Sequence, residues 1–355
     1  MLKLSDFDYD LPADRIAQTP LAQRDRSRLM VVHRDTGAIE DRVFIDLPSL
    51  LNAGDVLVIN DTRVSALRLF GFRPGRAGER IEVFLTERLG AAKWTALVRP
   101  GKKMLPGQEI EFDDGLSAVV IDRTDDRGGR LLQFSAAGSD PELLIEALGQ
   151  SPLPPYITTP LPRADRERYQ TVYAKHEGSS AAPTAGLHFT PTVLESLASR
   201  GVTVVRVTLH VGLGTFRPIQ VEDITEHKMH SERVQLTEEA AELINSAQGR
   251  VVAVGTTALR TLESAAAGPG RVRAMDGETD LYVTPGYRFQ VAEALITNFH
   301  MPRSTLLVLV SAFAGQTAGG GETNTDGRKL IQTAYQHAID LEYRFLSFGD
   351  AMFIV

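Results

Sequence analysis

The stretch that decides the fold is residues 169–217, YQTVYAKHEGSSAAPTAGLHFTPTVLESLASRGVTVVRVTLHVGLGTFR. It combines a polar loop, one helix, one strand and a second, glycine-rich loop. Thr190 is a good N-cap and Pro191 fits the first helical turn, so the pattern predicts a helix that stops near Gly201. Apolar and polar residues then alternate over residues 202–211, which predicts a strand.

Two histidines flank this helix and strand. His188 precedes the helix cap and His210 lies at the far end of the strand, near Gly186 and Gly212 respectively. Glycine lets the backbone approach a ligand, and a helix start offers free N–H groups to an anion. The order loop, helix, strand, loop therefore indicates a small-molecule pocket, although a single histidine is more often structural.

Length and composition restrict the class of protein. A chain of 355 residues exceeds what one core usually serves, which predicts two domains. Cysteine is absent, which excludes disulfides, thiolate zinc sites, cysteine nucleophiles and cysteine-held iron–sulfur clusters. No apolar run is long enough to span a bilayer, and the N-terminus lacks the apolar core of a signal peptide. We therefore expect a cytoplasmic protein with no membrane partner.

The pattern of predicted secondary structure changes twice along the chain. Residues 1–63 contain two predicted strands, whereas residues 64–150 contain six short β-rich runs with no helix between them, which predicts a barrel or sandwich. From residue 151 to residue 355, strands and helices alternate. The predicted fold is α/β: a mixed α/β main domain formed by residues 1–63 and 151–355, the second part carrying the active site, with a small all-β, barrel-like domain inserted at residues 64–150.

Polar residues follow two predicted strands of the main domain. Asp61 and Arg63 follow DVLVIN, and Asn298 and His300 lie in ITNFH. Mixed α/β proteins usually place ligand contacts at strand ends, although Asn-Asp-Thr is also good turn chemistry. The runs DLYV at residues 280–283 and FLSFGDAMFIV at residues 345–355 are predicted strands, and Asp350, in the middle of the second, is predicted to need an arginine or a ligand as its partner.

The charges are unevenly distributed. The net charge is −7, yet residues 63–103 contain ten Lys or Arg against three acids, and residues 104–150 contain ten acids against three bases. A local basic surface can hold phosphates despite an acidic total, because salt screens distant charges. The alternative is that these arginines lie on solvated strand faces.

Two other kinds of site compete for the same residues. His210, His227, His230 and Glu232 have side chains that suit zinc or manganese, but their spacing matches no known ligand signature. The sequence HVGLGTF follows a strand as a dinucleotide or methyl-donor loop would, but a third glycine and a following helix are missing.

Several blocks occur together in one order across the chain. They are GDVLVINDTRV, RPGKK, AAPTAGLHFT, VTLHVGLGTFRP, HKMHSE, ITNFHMPRSTLL and YRFLSFGDAM. With these blocks the chain resembles the S-adenosylmethionine:tRNA ribosyltransferase-isomerase family of queuosine biosynthesis over essentially its whole length.

The resemblance implies a monomeric enzyme that uses S-adenosylmethionine as a ribosyl-donating cosubstrate and has no prosthetic group. The partner is tRNA that carries aminomethyl-7-deazaguanine at the wobble position, and the products are epoxyqueuosine-tRNA, adenine and methionine. A base would remove a proton beside the sulfonium, after which adenine leaves, the amine attacks and epoxide closure expels methionine. The alternatives are a metal-dependent enzyme that uses the His/Glu set, or a non-catalytic tRNA-binding protein.

The resemblance also suggests residue roles. We predict that His188 and His210 form the acid–base pair, with His230 and His300 as further candidates. Arg217 and Arg303 would hold the methionine carboxylate, and Asn298 would bind the adenine edge. The other predicted substrate-binding residues are Thr184, Gly186, Gly212, Gly214, Asp61 and Arg63. The predicted tRNA-binding residues are Arg99, Lys102 and Lys103 for phosphates and Tyr169 and Tyr173 for base stacking. No metal ligand is predicted.

Overall fold

The computed structural model describes residues 2–65, 67–124, 128–212, 219–316 and 327–355. The strands are β1 (Arg28–Val32), β2 (Ile39–Val43), β3 (Val56–Asn60), β4 (Thr62–Val64), β5 (Leu67–Arg73), β6 (Arg76–Gly90), β7 (Lys93–Arg99), β8 (Glu109–Glu111), β9 (Leu116–Arg123), β10 (Gly129–Ala136), β11 (His176–Ser179), β12 (Thr203–Leu209), β13 (Glu232–Leu236), β14 (Val251–Val254), β15 (Ala266–Gly268), β16 (Arg271–Val272), β17 (Met275–Thr279), β18 (Ala294–Asn298) and β19 (Ala351–Ile354). The α-helices are α1 (Leu47–Leu50), α2 (Pro141–Leu148), α3 (Pro191–Ser199), α4 (Glu238–Asn245), α5 (Gly255–Ser264), α6 (Thr305–Ala314) and α7 (Gly327–Asp340).

Within the described residues, nine strands form one mixed sheet in the order β17-β13-β12-β3-β14-β18-β19-β1-β2. The four central strands β12, β3, β14 and β18 run parallel, and β13 and β19 pair antiparallel at either side of them. The carboxyl ends of the four parallel strands therefore meet at one edge of the sheet.

Both faces of this sheet are covered by helices, so the main domain has three layers. On β3, Leu57 and Ile59 face the core that includes α1 and α3, and Val56 and Val58 face the core that includes α4 to α7. A strand buried on both faces is apolar throughout, as VLVIN is before its final Asn60.

The predicted helix after residue 190 is confirmed, and its ends have clear causes. The Thr190 hydroxyl accepts a hydrogen bond from the backbone N–H of Val193, and Pro191 occupies the first turn. Val193 and Leu197, one helical turn apart, are fully buried against the sheet. Gly201, at a φ of +81°, then turns the chain into β12.

The inserted domain is a closed barrel with the strand order β10-β7-β6-β5-β8-β9. It has a hydrophobic core of its own, separate from the two cores of the main domain. Its two ends lie side by side, because Arg68 and Gln150 exchange backbone hydrogen bonds of 2.9 Å. The predicted fold class is confirmed, and the boundaries at residues 64 and 150 stay predictions.

Two local predictions about strands were wrong. Residues 280–283 were expected to form a strand, but the strand is β17, which pairs with β13 and ends at Thr279. Beyond it, the Leu281 N–H donates to the Thr279 hydroxyl and the Leu281 carbonyl accepts from Arg260, so side chains satisfy this backbone. Asp350 precedes β19 instead of lying inside it.

The partner predicted for Asp350 is an arginine. Its carboxylate accepts backbone N–H groups from Arg28 and Arg344 at 2.8 Å each, and the Arg28 guanidinium lies 3.5 Å away. Among the described residues, no helix combines the length and the apolar character needed to cross a bilayer.

Candidate active site

Asn60 joins the ends of two central strands. Its side-chain amide donates to the Leu209 carbonyl at 3.0 Å, and its amide oxygen accepts the backbone N–H groups of Leu209 and Thr62 at 3.1 Å each. These bonds replace ladder hydrogen bonds where β3 and β12 diverge, which opens the sheet edge. In open α/β sheets this edge is the usual place for a ligand.

A cavity of about 470 Å³ lies at this edge, and we name it the donor cavity. Its walls are the loop at residues 181–185, the start of α5 and the segment at residues 297–304. The volume lies within the roughly 300–1,000 Å³ typical of small-molecule sites. Four predicted residues line it together: Thr184, Asn298, His300 and Arg303.

The start of α5 forms part of this wall. Gly255 has a φ of +83°, which favours glycine, and Val254 before it provides no side-chain cap. The first backbone N–H groups of a helix lack intrahelical partners, so this turn suits an anionic group such as a carboxylate. Sequence reasoning missed this feature, although a glycine directly after a buried strand was a usable signal.

A chain of hydrogen bonds runs from the protein interior to the donor cavity. Ser27 donates to the Arg24 carbonyl at 3.2 Å and therefore accepts from Nδ1–H of His188 at 2.7 Å. The His188 Nε2 atom is then left to accept from the Asn298 amide, 3.2 Å away. The Asn298 amide oxygen in turn accepts from the Thr184 hydroxyl at 2.8 Å.

The surroundings of His188 keep it neutral. Burial, and then the nearby positive charge of Arg24, lower its pKa to about 4. The ring is 4% exposed, stacks on Phe44 and has both nitrogens engaged. This arrangement favours a positioning role for His188 over the acid–base role predicted from the sequence.

His300 and Arg303 occupy the far wall of the donor cavity. Burial lowers the pKa of His300 to about 3, and its Nε2 atom lies 3.0 Å from the Thr297 hydroxyl. Arg303 has a φ of +58°, held by a backbone hydrogen bond to the Phe7 carbonyl at 2.8 Å. A non-glycine residue in this conformation is strained, and such strain clusters at functional sites.

His210 belongs to a neighbouring cavity of about 730 Å³ between the sheet and the barrel, which we name the acceptor cavity. Thr62 donates to the His176 carbonyl at 3.4 Å and lies 2.8 Å from the His210 Nδ1 atom. This pairing favours the tautomer with the hydrogen on Nδ1, and among the described residues none forms a hydrogen bond to Nε2. Burial, followed by the charges of Arg233 and His176, lowers the His210 pKa.

Gly178 fixes the position of this imidazole. A Cβ atom added at Gly178 would lie 3.1–3.2 Å from three atoms of the His210 ring, and the glycine has a φ of +138°. Only glycine combines this conformation with so close an approach. The sequence prediction did not include Gly178.

The two cavities share one thin wall. Ser180 donates its backbone N–H to the Val211 carbonyl at 2.8 Å, and the Ser179 hydroxyl accepts the Val211 N–H at 2.9 Å. Val211 lines the donor cavity, whereas the adjacent His210 lines the acceptor cavity. A base at His210 therefore lies at the border between two binding spaces.

The candidate metal set is divided in the structure. The Glu232 carboxylate accepts the Gly212 N–H at 2.9 Å and forms a buried ion pair with Arg260. His230 lines a third cleft together with His227. In the described part of the chain, no group of three or more His, Asp or Glu side chains could hold a metal ion.

Three further predicted residues, Asp61, Gly186 and Arg63, have contacts that stabilise the fold. Asp61 is 3% exposed and accepts from the Thr208 hydroxyl at 2.7 Å. Gly186 packs on Tyr173, since an added Cβ would lie 2.2 Å from the phenolic oxygen. Arg63 borders the acceptor cavity and pairs with Glu167 at 2.5 Å.

Burial disfavours the predicted stacking role of two tyrosines. Tyr169 is 1% exposed and Tyr173 is 8% exposed, and both rings pack in hydrophobic cores, although Tyr169 also borders the acceptor cavity. A stacking platform needs a free ring face, which neither buried ring offers in this structure. Of the predicted phosphate contacts, Arg99 and Lys102 line the third cleft, and Lys103 pairs with Glu79 at 2.9 Å. Gly214 and Arg217 lie outside the described residues.

Comparison with known proteins gives one consistent family. A family model described as queuosine biosynthesis protein matches residues 4–354. Relatives named S-adenosylmethionine:tRNA ribosyltransferase-isomerase are 54% identical in Symbiobacterium thermophilum and 53% identical in Desulfitobacterium hafniense, and each match covers 100% of both chains. A crystal structure of S-adenosylmethionine tRNA ribosyltransferase from Thermotoga maritima has 38% identity and a TM-score of 0.54, and the match covers 99% of this chain and 100% of that one. The chain therefore belongs to the S-adenosylmethionine:tRNA ribosyltransferase-isomerases of queuosine biosynthesis.

Proposed function

We propose that this enzyme moves the ribosyl group of S-adenosylmethionine onto the aminomethyl-7-deazaguanine at the wobble position of tRNA and isomerises it, giving epoxyqueuosine-tRNA, adenine and methionine. The observation that carries the proposal is the position of His210 at the border of two cavities, with Nδ1 held by Thr62 and with no partner on Nε2 among the described residues. One cavity would hold the donor and the other the modified nucleotide.

In the donor cavity, the methionine carboxylate would lie against the first turn of α5, with Arg303 as a second cationic contact. The Asn298 amide, oriented by His188, would bind the adenine edge together with Thr184. The amide has both N–H groups engaged, on His188 and on the Leu346 carbonyl, and its oxygen is held by Thr184, so it presents the remaining lone pair of that oxygen as a fixed acceptor for an amino group of a heterocycle. His300 borders the same space, and since burial keeps it neutral it would contribute a hydrogen bond to adenine instead of a proton.

Removal of a ribose proton requires a base that is unprotonated at physiological pH. His210 would remove the ribose proton next to the sulfonium, whose positive charge acidifies that carbon. Adenine takes up a proton and leaves as its C–N bond breaks and the ribose ring opens, and the tRNA amine loses a proton as it forms a new bond to the sugar. A sugar oxygen then bonds to the carbon that carries sulfur, which closes the epoxide, breaks the C–S bond and releases methionine. Proton transfer by a positioned histidine contributes about 10²–10⁴-fold to the rate of such a step.

The direct test incubates the protein with S-adenosylmethionine and tRNA that carries the aminomethyl base, and quantifies adenine and methionine by chromatography. We expect equal amounts of both products and none with tRNA that lacks the aminomethyl group. Methylated RNA with S-adenosylhomocysteine would contradict the proposal. Binding of tRNA without adenine release would instead support the non-catalytic alternative.

A further inference from the structure

A third cleft, of about 1,300 Å³, separates the barrel from the main domain. Its barrel wall comes from the end of β7, the loop that follows it and the adjoining ends of β9 and β10. Its other wall is the segment at residues 220–230, between β12 and β13. The cleft exceeds the roughly 300–1,000 Å³ of small-molecule sites, so a larger ligand is indicated.

The charged side chains among the described residues that line this cleft are mostly cationic. Glu226 is the single acid among them, whereas the cations come from both walls. They are Arg99, Lys102, Arg123, Arg130 and Lys228, with His227 and His230 beside them. A concave surface of one charge sign attracts an opposite charge more strongly than a flat one does.

Arg130 holds this charge in place. Its guanidinium is buried and donates to the carbonyls of Gly101, Met104 and Gly129, so it fixes the loop that presents Lys102. Burial lowers the pKa of Arg130, and the positive charge of Arg123 lowers it further. Arg123 and Arg130 are direct partners across β9 and β10, so their two positive charges lie together on this wall of the cleft.

The opposite wall is also fixed. Ile224 is fully buried and donates its backbone N–H to the Leu2 carbonyl at 3.2 Å, and the Glu222 carbonyl accepts from Leu4 at 2.8 Å. Asp223 caps the following turn through the Thr225 N–H at 3.0 Å. Lys228, which is exposed, is therefore carried by an anchored segment and faces the barrel across the cleft.

The cleft and the acceptor cavity lie along the same strand. On β7, Trp94 lines the acceptor cavity and Arg99 lines the cleft. Five residues of a strand span about 17 Å. A polyanion that lies in the cleft would thus approach the acceptor cavity along the barrel wall.

We propose that this cleft binds the phosphate backbone of the tRNA next to the wobble nucleotide and grips it from both sides, with Lys228 of the main domain opposite Arg99, Lys102 and Arg123 of the barrel. This inference rests on the proposed function. Contacts to phosphates position an RNA without reading its sequence, so the cleft supplies affinity and register while the acceptor cavity recognises the modified base.

The experiment measures the affinity of labelled tRNA for the full-length enzyme between 50 and 300 mM salt. The double variant Arg123→Gln with Lys228→Gln should reduce the slope of log K against log salt by about 1.4–1.8, or 0.7–0.9 for each phosphate contact. At 0.1 M salt it should weaken binding by roughly tenfold or more. Adenine release should show the loss in kcat/KM for tRNA, because both side chains contribute to tRNA binding and neither lines the donor or acceptor cavity.

The matched control removes the same number of charges elsewhere, at Arg200 and Arg271, which are exposed and lie outside all three cavities. This control should leave the slope unchanged. An unchanged slope in the Arg123 and Lys228 variant of an active enzyme would overturn the cleft proposal alone. A wild-type enzyme that binds tRNA but releases no adenine would overturn the proposed function whatever the slope. Lys228→Gln alone tests the two-sided grip, since a one-sided surface would show no loss.

Discussion

The Nε2 atom of His188 lies 3.2 Å from the amide nitrogen of Asn298, and this contact sets which way the amide faces. With Ser27 on the other ring nitrogen, the neutral imidazole can only accept from Asn298, so the amide oxygen points to Thr184. A buried histidine thus orients a polar side chain of the donor cavity without facing the ligand itself.

His188 should make stability depend on pH. Its folded pKa of about 4 lies below the value of about 6.5 of an unfolded histidine, so the unfolded chain binds more protons between these values. The contribution of His188 to the free energy of unfolding is complete above pH 6.5. It falls by about 3 kcal/mol as the pH decreases toward 4. Urea unfolding at several pH values should show His188→Gln to be less stable at pH 7 but less sensitive to acid. Parallel curves for the two proteins would contradict this account.

Loss of the His210 imidazole should abolish most activity. We expect His210→Ala to lower kcat by about 10²–10⁴-fold with S-adenosylmethionine and modified tRNA at saturation. Because burial lowers the His210 pKa, the wild-type rate should fall only on acidification below pH 6.5. His33→Ala is the matched control, since His33 pairs with Glu40 away from the cavities and should retain wild-type kcat. Equal rates in both variants would remove His210 from the mechanism.

Gly186 and Tyr173 should behave as a coupled pair. Gly186→Ala places a methyl group about where the Tyr173 hydroxyl lies, and such overpacking costs roughly 1–3 kcal/mol of unfolding free energy. Tyr173→Phe removes that oxygen and should restore part of the loss. The double variant should therefore lose less unfolding free energy than the sum of the losses of the two single variants. Thermal and urea unfolding of all four proteins measure this coupling, and strict additivity would contradict the contact.

The buried pair of Glu232 and Arg260 should be critical to stability. Glu232→Gln leaves the Arg260 guanidinium buried beside a neutral amide, which should destabilise the fold by about 3–5 kcal/mol. Glu278→Gln, on the neighbouring strand and exposed, should change stability by less than about 0.5 kcal/mol. Denaturant titration measures the unfolding free energy of both variants. Equal values would show that the buried ion pair contributes no more to stability than the exposed Glu278 does.

Local patterns in the sequence were sufficient for most of the architecture. Thr190 and Pro191 carry their helix signal within four residues, and alternation along six short runs indicates a barrel. These signals are local, because each comes from residues close together in the chain. The polar residues at strand ends are a local signal as well, and one of them, Asn298, lines the donor cavity.

The surroundings of single side chains could not be predicted in the same way. The partner of His188 on Nδ1 is Ser27, 161 positions away, and nothing in either local sequence indicates that contact. Tyr173 looks equally suited to stacking or to a core until the close approach of Gly186 is known. The sequence also does not indicate which way a side chain points. His227 and His230 line the cleft beside the barrel and do not lie at the edge of the main sheet.

The backbone contact between Arg68 and Gln150 has a consequence for how substitutions act. Because the two ends of the barrel meet there and the barrel has a hydrophobic core of its own, a substitution inside that core changes packing in the barrel and leaves the cores of the main domain in place. Substitutions in the barrel loops should therefore alter its surface charge with little effect on the stability of the main domain.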